Sequence, residues 1–311
     1  MKKFLLHILV FGTIVIVLAF VVDFFISNNL RKPTGAKMMS NWNAIYSGDI
    51  QSDVIIMGNS RAWVQYSPQI LDSILEVYSW NLGIDGSCIN RQIIAYDTYR
   101  RFNPKPKYII QNIDFSTLGI TSGFQKEQFL PYFFDDSLRT AVSEYEDFNF
   151  FGNYFPLWRY IGYRDFIRVG LQMTDFNDGC NVFKGYQGVI REWNGAILAE
   201  QTEINYSQDS AMLVKFDNYL ASAYSQNIKV IFVYAPVYIE ATKKIKNIEG
   251  MYAMYDSIAQ KYDIPILDYN YDAISYDTTY FYNATHLNKK GAELFSTKLA
   301  HDIDSLGILR N

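Results

Sequence analysis

Five short apolar runs alternate with stretches of helical periodicity along most of this 311-residue chain. The strand-like runs cover residues 54–57, 77–82, 108–113, 230–234 and 264–267. The helical patterns cover residues 68–75, 89–102, 210–225, 250–262 and 289–306, the last with Asn288 as its predicted N-cap. This βαβα order predicts a flavodoxin-like three-layer α/β sandwich with a central parallel sheet, whose ligands bind at the carboxyl ends of the strands.

An uncharged segment at residues 4–22 precedes this pattern. As a helix it spans roughly 28 Å, about the thickness of the bilayer hydrocarbon core. Lys2 and Lys3 precede it as in a signal peptide, but the apolar run is longer than usual and no A-x-A cleavage site follows. We therefore predict an uncleaved transmembrane helix with a cytoplasmic N-terminus and an exported domain. Three basic residues after the helix weaken the charge bias that sets this orientation: Arg31, Lys32 and Lys37.

The rest of the chain follows this N-terminal segment as one domain. We predict a signal anchor over residues 1–26, a stalk over 27–52 and an α/β domain over 53–311. Residues 117–204 break the alternation, because they are long, rich in aromatic residues and only partly helical in pattern. Two interpretations of this insertion stay open. It forms a lid or acceptor groove over the active face, or it forms an extra helical layer that packs its own aromatic side chains.

Composition argues against several kinds of function. The net charge is −4 and no Lys/Arg stripe is present, so nucleic-acid binding is not predicted. Cys88 and Cys180 are too few and too far apart for a metal site, and we predict neither a metal nor a cofactor. The 25 Tyr and 22 Phe fit a surface that binds sugars, but a compositional habit of the source organism would produce the same counts.

Ser60 and His286 are the residues that most suggest chemistry. Ser60 comes directly after the first apolar run, and His286 lies close to the C-terminus. His7 lies within the apolar N-terminal segment and His301 on the closing helix, so His286 alone among the three histidines is placed to act as a base. A serine nucleophile and a histidine base are what acyl transfer requires.

Three segments resemble the sequence blocks of the SGNH (GDSL-like) hydrolases. Gly58-Asn59-Ser60-Arg61 resembles the first block, whereas Ala62 excludes the G-x-S-x-G elbow of the α/β-hydrolases. Residues 80–87 resemble the second block, and residues 283–288 with the following helix resemble the last block, a D-x-x-H.

The resemblance implies a role for each matching residue. Ser60 is the nucleophile, His286 the base and Asn283 the residue that orients His286, since a spacing of three places both side chains on one turn facing the serine. The backbone N–H groups of Gly86 and Ser60 are the implied oxyanion donors. The family's third block carries a further donor, for which Asn112 and Ser116 are both candidates.

The last and third blocks both depart from the family pattern. Asn283 stands where the family has Asp, which removes a negative charge that would stabilise an imidazolium. An upstream carboxylate is the alternative source of that charge, and the candidates are Asp268, Asp272 and Asp277.

Membrane-anchored members of this family resemble enzymes that add or remove acyl groups on bacterial cell-surface polysaccharides. The resemblance therefore implies an acylated glycan or other acyl ester as substrate, and an integral membrane acyl-donor protein as partner. It predicts an exported, membrane-tethered serine esterase or O-acyltransferase. The alternative, based on the two departures, is a catalytically inactive SGNH-like scaffold that binds glycan or a membrane partner.

Overall fold

The computed structural model describes residues 1–32, 39–119, 126–145, 150–172, 182–193 and 203–309. The chain divides into two compact units. The helical unit comprises Met1–Ser47 and Phe124–Cys180, and the sheet unit comprises Gly48–Gly123 and Asn181–Asn311.

The sheet unit is built on five parallel strands, which are β1 (Val54–Met57), β2 (Ser79–Asn81), β3 (Tyr108–Asn112), β4 (Lys229–Tyr234) and β5 (Ile266–Asp268). Their spatial order is 2-1-3-4-5, and every neighbouring pair is parallel. This is the flavodoxin-like order of doubly wound sheets. The fold class predicted from the alternation is confirmed.

The described helices, numbered along the whole chain, are α1 (Lys2–Leu30), α2 (Ser40–Ser47), α3 (Ser60–Gln65), α4 (Pro68–Leu75), α5 (Ile89–Phe102), α6 (Asp136–Ser143), α7 (Phe150–Tyr154), α8 (Arg164–Gln172), α9 (Ser210–Ser225), α10 (Ile239–Thr242), α11 (Ile248–Tyr262) and α12 (Lys289–Ser305). Helices α4, α5 and α9 have the predicted bounds. Asn288 caps α12 as predicted, because its Oδ1 accepts a hydrogen bond from the Gly291 N–H at 3.0 Å.

Shorter elements complete the chain. Two-residue strands pair between Val182–Phe183 and Tyr186–Gln187, and between Ile204–Asn205 and Ile245–Lys246. An antiparallel hairpin joins β6 (Phe281–Asn283) to β7 (His286–Leu287). Within the described ranges, 3₁₀ segments lie at Lys126–Tyr132, Trp158–Tyr160, Ala273–Tyr276 and Thr278–Tyr280.

Helices cover both faces of the sheet. Alternate strand residues such as Ile56 and Ile231 share one core with Phe295 of α12. On the opposite face, Phe232 stacks on Phe216 of α9 with ring centroids 5.7 Å apart, and it meets the ring of Tyr255 of α11 at 6.2 Å. With both faces buried, β1 and all of β4 after Lys229 are apolar apart from the Tyr234 hydroxyl, and polar side chains such as Asn112 and Asp268 lie at the carboxyl ends of strands.

The helical unit contains α1, the stalk helix α2 and residues 126–172 of the predicted insertion. Trp42 of α2 donates a hydrogen bond to Gln128 Oε1 at 3.0 Å, and α8 packs along the last turns of α1. This part of the insertion forms a helical layer on α1, and both interpretations of the insertion stay predictions. Residues 182–193 of the insertion belong to the sheet unit, and Cys180 lies outside the described residues.

Candidate active site

A tight turn after β1 presents Ser60 at the carboxyl edge of the sheet. Gly58 adopts φ +154°, and a Cβ at this position would lie 2.6 Å from the Ala62 Cβ and 2.8 Å from the Asn112 Cβ. The turn therefore requires glycine. Asn59 caps α3 by accepting the Arg61 N–H at 2.9 Å, so Ser60 is the first residue of that helix and is half-buried.

The β6–β7 hairpin fixes the orientation of the Asn283 amide. Asn283 Oδ1 accepts the backbone N–H groups of Thr285 at 3.0 Å and of His286 at 2.9 Å. Backbone N–H groups can only donate, so the atom that faces them is the amide oxygen. The same oxygen lies 2.9 Å from His286 Nδ1, which must then carry a proton and donate it.

His286 joins this hairpin to the nucleophile turn. Its Nε2 lies 2.7 Å from Ser60 Oγ, within hydrogen-bond distance. With the proton on Nδ1, Nε2 is the free acceptor for the Ser60 hydroxyl. Thr285 Oγ1 lies 3.0 Å from Nδ1, and the Tyr282 ring stacks on the imidazole with ring centroids 5.5 Å apart. The structure thus brings Ser60, His286 and Asn283 into one hydrogen-bonded chain.

The surroundings of His286 favour its neutral form. Burial and, to a smaller extent, the positive charge of Arg61 lower its pKa, while Asp114 acts in the opposite direction, and the net result is a pKa of about 3. Around neutral pH the imidazole is therefore uncharged and can accept a proton.

The three upstream aspartates have partners other than His286. Asp268 accepts the Asn270 N–H at 2.8 Å, and Asp277 accepts the Thr279 N–H at 2.9 Å. Asp272 accepts the Ile274 N–H at 3.0 Å and pairs with Lys298 at 2.6 Å. None of them forms a hydrogen bond with His286 among the described residues, so the alternative source of the missing carboxylate finds no support.

The backbone N–H groups of Gly86 and Ser60 stay the predicted donors to a developing oxyanion. Gly86 adopts φ +58°, and its N–H has no hydrogen-bond partner among the described residues. Its loop is tied to the nucleophile turn, because Ile84 N and Ser87 Oγ both donate to the Gly58 carbonyl, at 3.0 and 3.3 Å. The Ser60 N–H is the first of its helix and has no acceptor within that helix.

Asn112 and Ser116 are engaged elsewhere. Asn112 is buried, accepts the Tyr66 hydroxyl at 2.9 Å and donates to Asp114 Oδ2 at 3.1 Å. The N–H and hydroxyl of Ser116 both donate to Asp114 Oδ1 at 2.7 Å. These contacts favour a role in holding Asp114, and an oxyanion role for either residue stays a prediction.

Asp114 and Arg61 are the site residues that sequence reasoning missed. They form a buried ion pair at 2.9 Å, and Asn59 Nδ2 donates to the same carboxylate at 2.6 Å. Burial alone would raise the pKa of Asp114, but Arg61 and the hydrogen bonds of Ser116 and Asn59 outweigh it, so the pKa lies below its usual value. The position of Asp114 directly after the third apolar run predicts that it lies at the same sheet edge as Ser60, but this position does not identify Arg61 as its partner.

A groove of about 600 Å³ lies beside the His286 hairpin. Its lining residues are Val189, Ile190, Arg191, Glu192, Asn288, Lys289, Lys290 and Glu293. Arg191 lies 6.0 Å from the centre of the Tyr282 ring, which itself stacks on His286. Residues 189–192 of the insertion therefore border the candidate site, and they give it a surface of mixed charge.

The Asn283→Asp variant is expected to shift the acid limb of kcat/KM upward in pH. In the parent, the profile should stay flat through about pH 6.5, where an ordinary histidine titrates, because His286 has a pKa of about 3. A carboxylate next to Nδ1 favours the imidazolium and raises the pKa by about 1–3 units. A pH–rate profile of both chains measures the shift, and turnover near neutral pH should rise, since a more basic histidine is a better general base. Identical profiles would show that the residue at position 283 does not influence the pKa of the catalytic base, which would contradict this prediction.

Comparison with known proteins gives matches in structure alone. No protein-family model matches the chain, and no curated protein matches it. A solved structure described as a "putative platelet activating factor" from Streptococcus pneumonia shares 11% identity, covers 86% of this chain and 91% of its own, and has a TM-score of 0.43. A "putative acylhydrolase" from Bacteroides fragilis shares 13% identity over 81% and 86%, with a TM-score of 0.36. A "putative lipolytic protein of G-D-S-L family" from Desulfitobacterium hafniense shares 12% identity over 81% and 99%, also with a TM-score of 0.36. TM-scores below 0.5 are too low to assign a function.

Proposed function

We propose that this protein is a membrane-tethered serine esterase or O-acyltransferase of the SGNH type. The observation that carries the proposal is the chain of contacts from Ser60 Oγ to His286 Nε2 at 2.7 Å and from His286 Nδ1 to Asn283 Oδ1 at 2.9 Å. A hydroxyl, a neutral imidazole and an acceptor that fixes its tautomer are the parts of an activated serine nucleophile.

In the proposed reaction Ser60 Oγ attacks the carbonyl carbon of an ester while its proton passes to His286 Nε2. The negative charge that develops on the carbonyl oxygen is stabilised by the N–H groups of Ser60 and Gly86. When the tetrahedral intermediate collapses, the imidazolium gives its proton to the departing alkoxide, and the acyl group stays on Ser60. Water or a hydroxyl of an acceptor then attacks the acyl-serine, with His286 again taking the proton. The imidazolium returns that proton to Ser60 Oγ as the second tetrahedral intermediate collapses and the bond from Ser60 to the acyl group breaks. The first outcome is hydrolysis, and the second is acyl transfer.

A neutral Asn283 has a specific consequence for this reaction. Its oxygen holds the imidazole in the tautomer that leaves Nε2 free, but it supplies no charge to stabilise the imidazolium. The low pKa of His286 keeps the base unprotonated and also makes it a weak base. We therefore expect slower chemistry than in a triad with a carboxylate.

The proposed location and substrate rest on α1 and on the family resemblance. Among the described residues, α1 is the helix that is long and apolar enough to cross a membrane, as an anchor or as a signal sequence. We propose that it is a retained anchor, that the sheet unit is exported, and that the substrate is an acyl ester of a cell-surface glycan, with an integral membrane protein as acyl donor. The groove lined by residues 189–192 would receive the sugar.

A serine-reactive fluorophosphonate tests the proposal. The full chain in detergent micelles is expected to be labelled, because the His286 contact activates the Ser60 hydroxyl. Ser60→Ala should abolish labelling, whereas Ser225→Ala, at an exposed helix end, should leave it unchanged. Acylated sugars that occupy the site should slow the labelling. A folded parent chain that resists the reagent would favour the alternative, an inactive scaffold that binds glycan or a membrane partner.

A further inference from the structure

Five large aromatic side chains of the helical unit face outward on and just after α7. We call them the aromatic surface, and they are Phe150, Phe151, Tyr154, Phe155 and Trp158, with between 43% and 65% of each side chain exposed. Their rings contact one another, with centroids 5.1 Å apart for Phe150 and Tyr154, 5.1 Å for Phe151 and Phe155, and 5.0 Å for Phe151 and Trp158. A contiguous exposed apolar patch of this kind marks an interaction surface, unlike scattered single residues.

Polar contacts fix the position of the aromatic surface along the axis of α1. Leu157 donates its backbone N–H to Asp23 Oδ2 at 2.7 Å, and Arg159 forms an ion pair with the same carboxylate. Four residues later on α1, Ser27 Oγ lies 2.8 Å from the Tyr160 hydroxyl. Trp158 therefore lies between two residues that are bonded to α1, and the aromatic surface is held at the level of Asp23.

Asp23 is the first charged residue after the apolar run of α1. Residues 4–22 span roughly 28 Å as a helix, which fills the hydrocarbon core of a bilayer and places Asp23 at its boundary. At the same level Phe24 and Phe25 are exposed on α1, at 59% and 45%. Aromatic side chains are enriched at this depth of membrane proteins, where an apolar ring meets the headgroups.

We propose that the aromatic surface lies in the headgroup region of the same bilayer that α1 spans, so that the helical unit rests on the membrane. This inference depends on the proposed role of α1 as a membrane anchor. The aromatic surface is held at the level of Asp23, where the apolar run of α1 ends and Phe24 and Phe25 are also exposed, and this shared level selects lipid as its occupant. Exposed aromatic rings at this height are then covered by headgroups and upper acyl chains.

Quenching of tryptophan fluorescence by brominated lipids tests the proposal. The full chain is reconstituted into vesicles of phosphatidylcholine brominated near the headgroup end of its acyl chains, and into unbrominated vesicles. Quenching is expected in the parent and should be largely lost in Trp158→Phe. The matched control is Trp193→Phe, which makes the same substitution in the sheet unit and should keep the quenching. Adding Phe155→Trp to the Trp158→Phe chain should restore it.

Failure of the membrane-anchor proposal and failure of the lipid-contact proposal give different experimental results. If alkaline carbonate extracts the parent chain from the vesicles, the anchor proposal fails. If the chain resists extraction but Trp158→Phe quenches like the parent, the anchor stands and the lipid-contact proposal is overturned. Loss of the Trp158 contribution as the protein-to-lipid ratio rises would instead assign the surface to a second copy of the chain.

Discussion

Ser60→Ala and His286→Ala are each expected to lower ester turnover by about two to four orders of magnitude, less than in a triad with a carboxylate, and the double variant is expected to be no slower than either single variant. Ser60 Oγ and His286 Nε2 are 2.7 Å apart and act as one unit. Without the hydroxyl no acyl-enzyme forms, and without the imidazole the hydroxyl keeps its proton. Whatever activity remains then comes from substrate binding and the backbone N–H groups.

Release of nitrophenol from a short-chain nitrophenyl ester measures kcat and KM for all four chains. KM should change little, because neither side chain is needed to bind the ester before reaction. Tyr282→Phe is the control, since it keeps the ring that stacks on His286 and removes only the hydroxyl. It should turn over at nearly the parent rate. Losses that add up in the double variant would show that the two residues act independently, which would contradict the proposed mechanism.

The parts of the fold and site that could be predicted are those that follow from local pattern. Apolar runs bounded by helical periodicity predicted the five parallel strands, since strands buried on both faces are mostly apolar. Placing both Ser60 and His286 at the carboxyl edge of that sheet then predicted that they would meet, although they are far apart in sequence.

The parts that could not be predicted depend on contacts between distant segments. Arg61 and Asp114 each look like ordinary polar residues after an apolar run, and only the parallel pairing of β1 with β3 brings them together in a buried pair. The partition of the insertion also escaped prediction. The insertion packs on α1 through α8 and through polar contacts such as those of Asp23, and these contacts between distant segments have no periodic signature in the sequence.

Asp114→Asn is expected to lower the free energy of opening of the sheet unit by about 3–5 kcal/mol, the usual cost of removing one partner of a buried ion pair. Asn has nearly the shape of Asp but no charge, so Arg61 is left as a buried and uncompensated cation. The substitution also replaces one carboxylate oxygen, which accepts hydrogen bonds, with an amide NH₂ group, which donates them. In the parent, that carboxylate accepts hydrogen bonds from the side-chain N–H groups of Asn59 and Asn112. Hydrogen exchange of the β1 and β3 amides in the full chain measures the opening free energy, because these strands lie at the centre of the sheet.

An exposed ion pair supplies the matched control. Asp217 pairs with Lys261 at 2.6 Å on the surface of the sheet unit, and Asp217→Asn should change the exchange of β1 and β3 very little. The two variants should also differ in pH dependence. The pKa of Asp114 is lower in the folded chain than its usual value, so its contribution is present above about pH 4 and is lost as the pH falls through the folded pKa. The Asp114→Asn chain lacks that dependence.

The same variant separates the two roles that the Asp114 network could have. If the network positions Ser60, kcat should fall in Asp114→Asn, and the pH–rate profile should shift as well, since both Arg61 and Asp114 act on the pKa of His286. Removing the carboxylate leaves the Arg61 cation unopposed, which lowers that pKa further and moves the acid limb to still lower pH. Adding Arg61→Gln removes the unpaired cation. The double variant should therefore lose less stability than the sum of the single variants, and its acid limb should return part of the way to the position of the parent. A loss of stability with unchanged kcat and an unchanged acid limb would limit the Arg61–Asp114 pair to holding the fold, and would leave the positioning of Ser60 to Gly58 and the Asn59 cap.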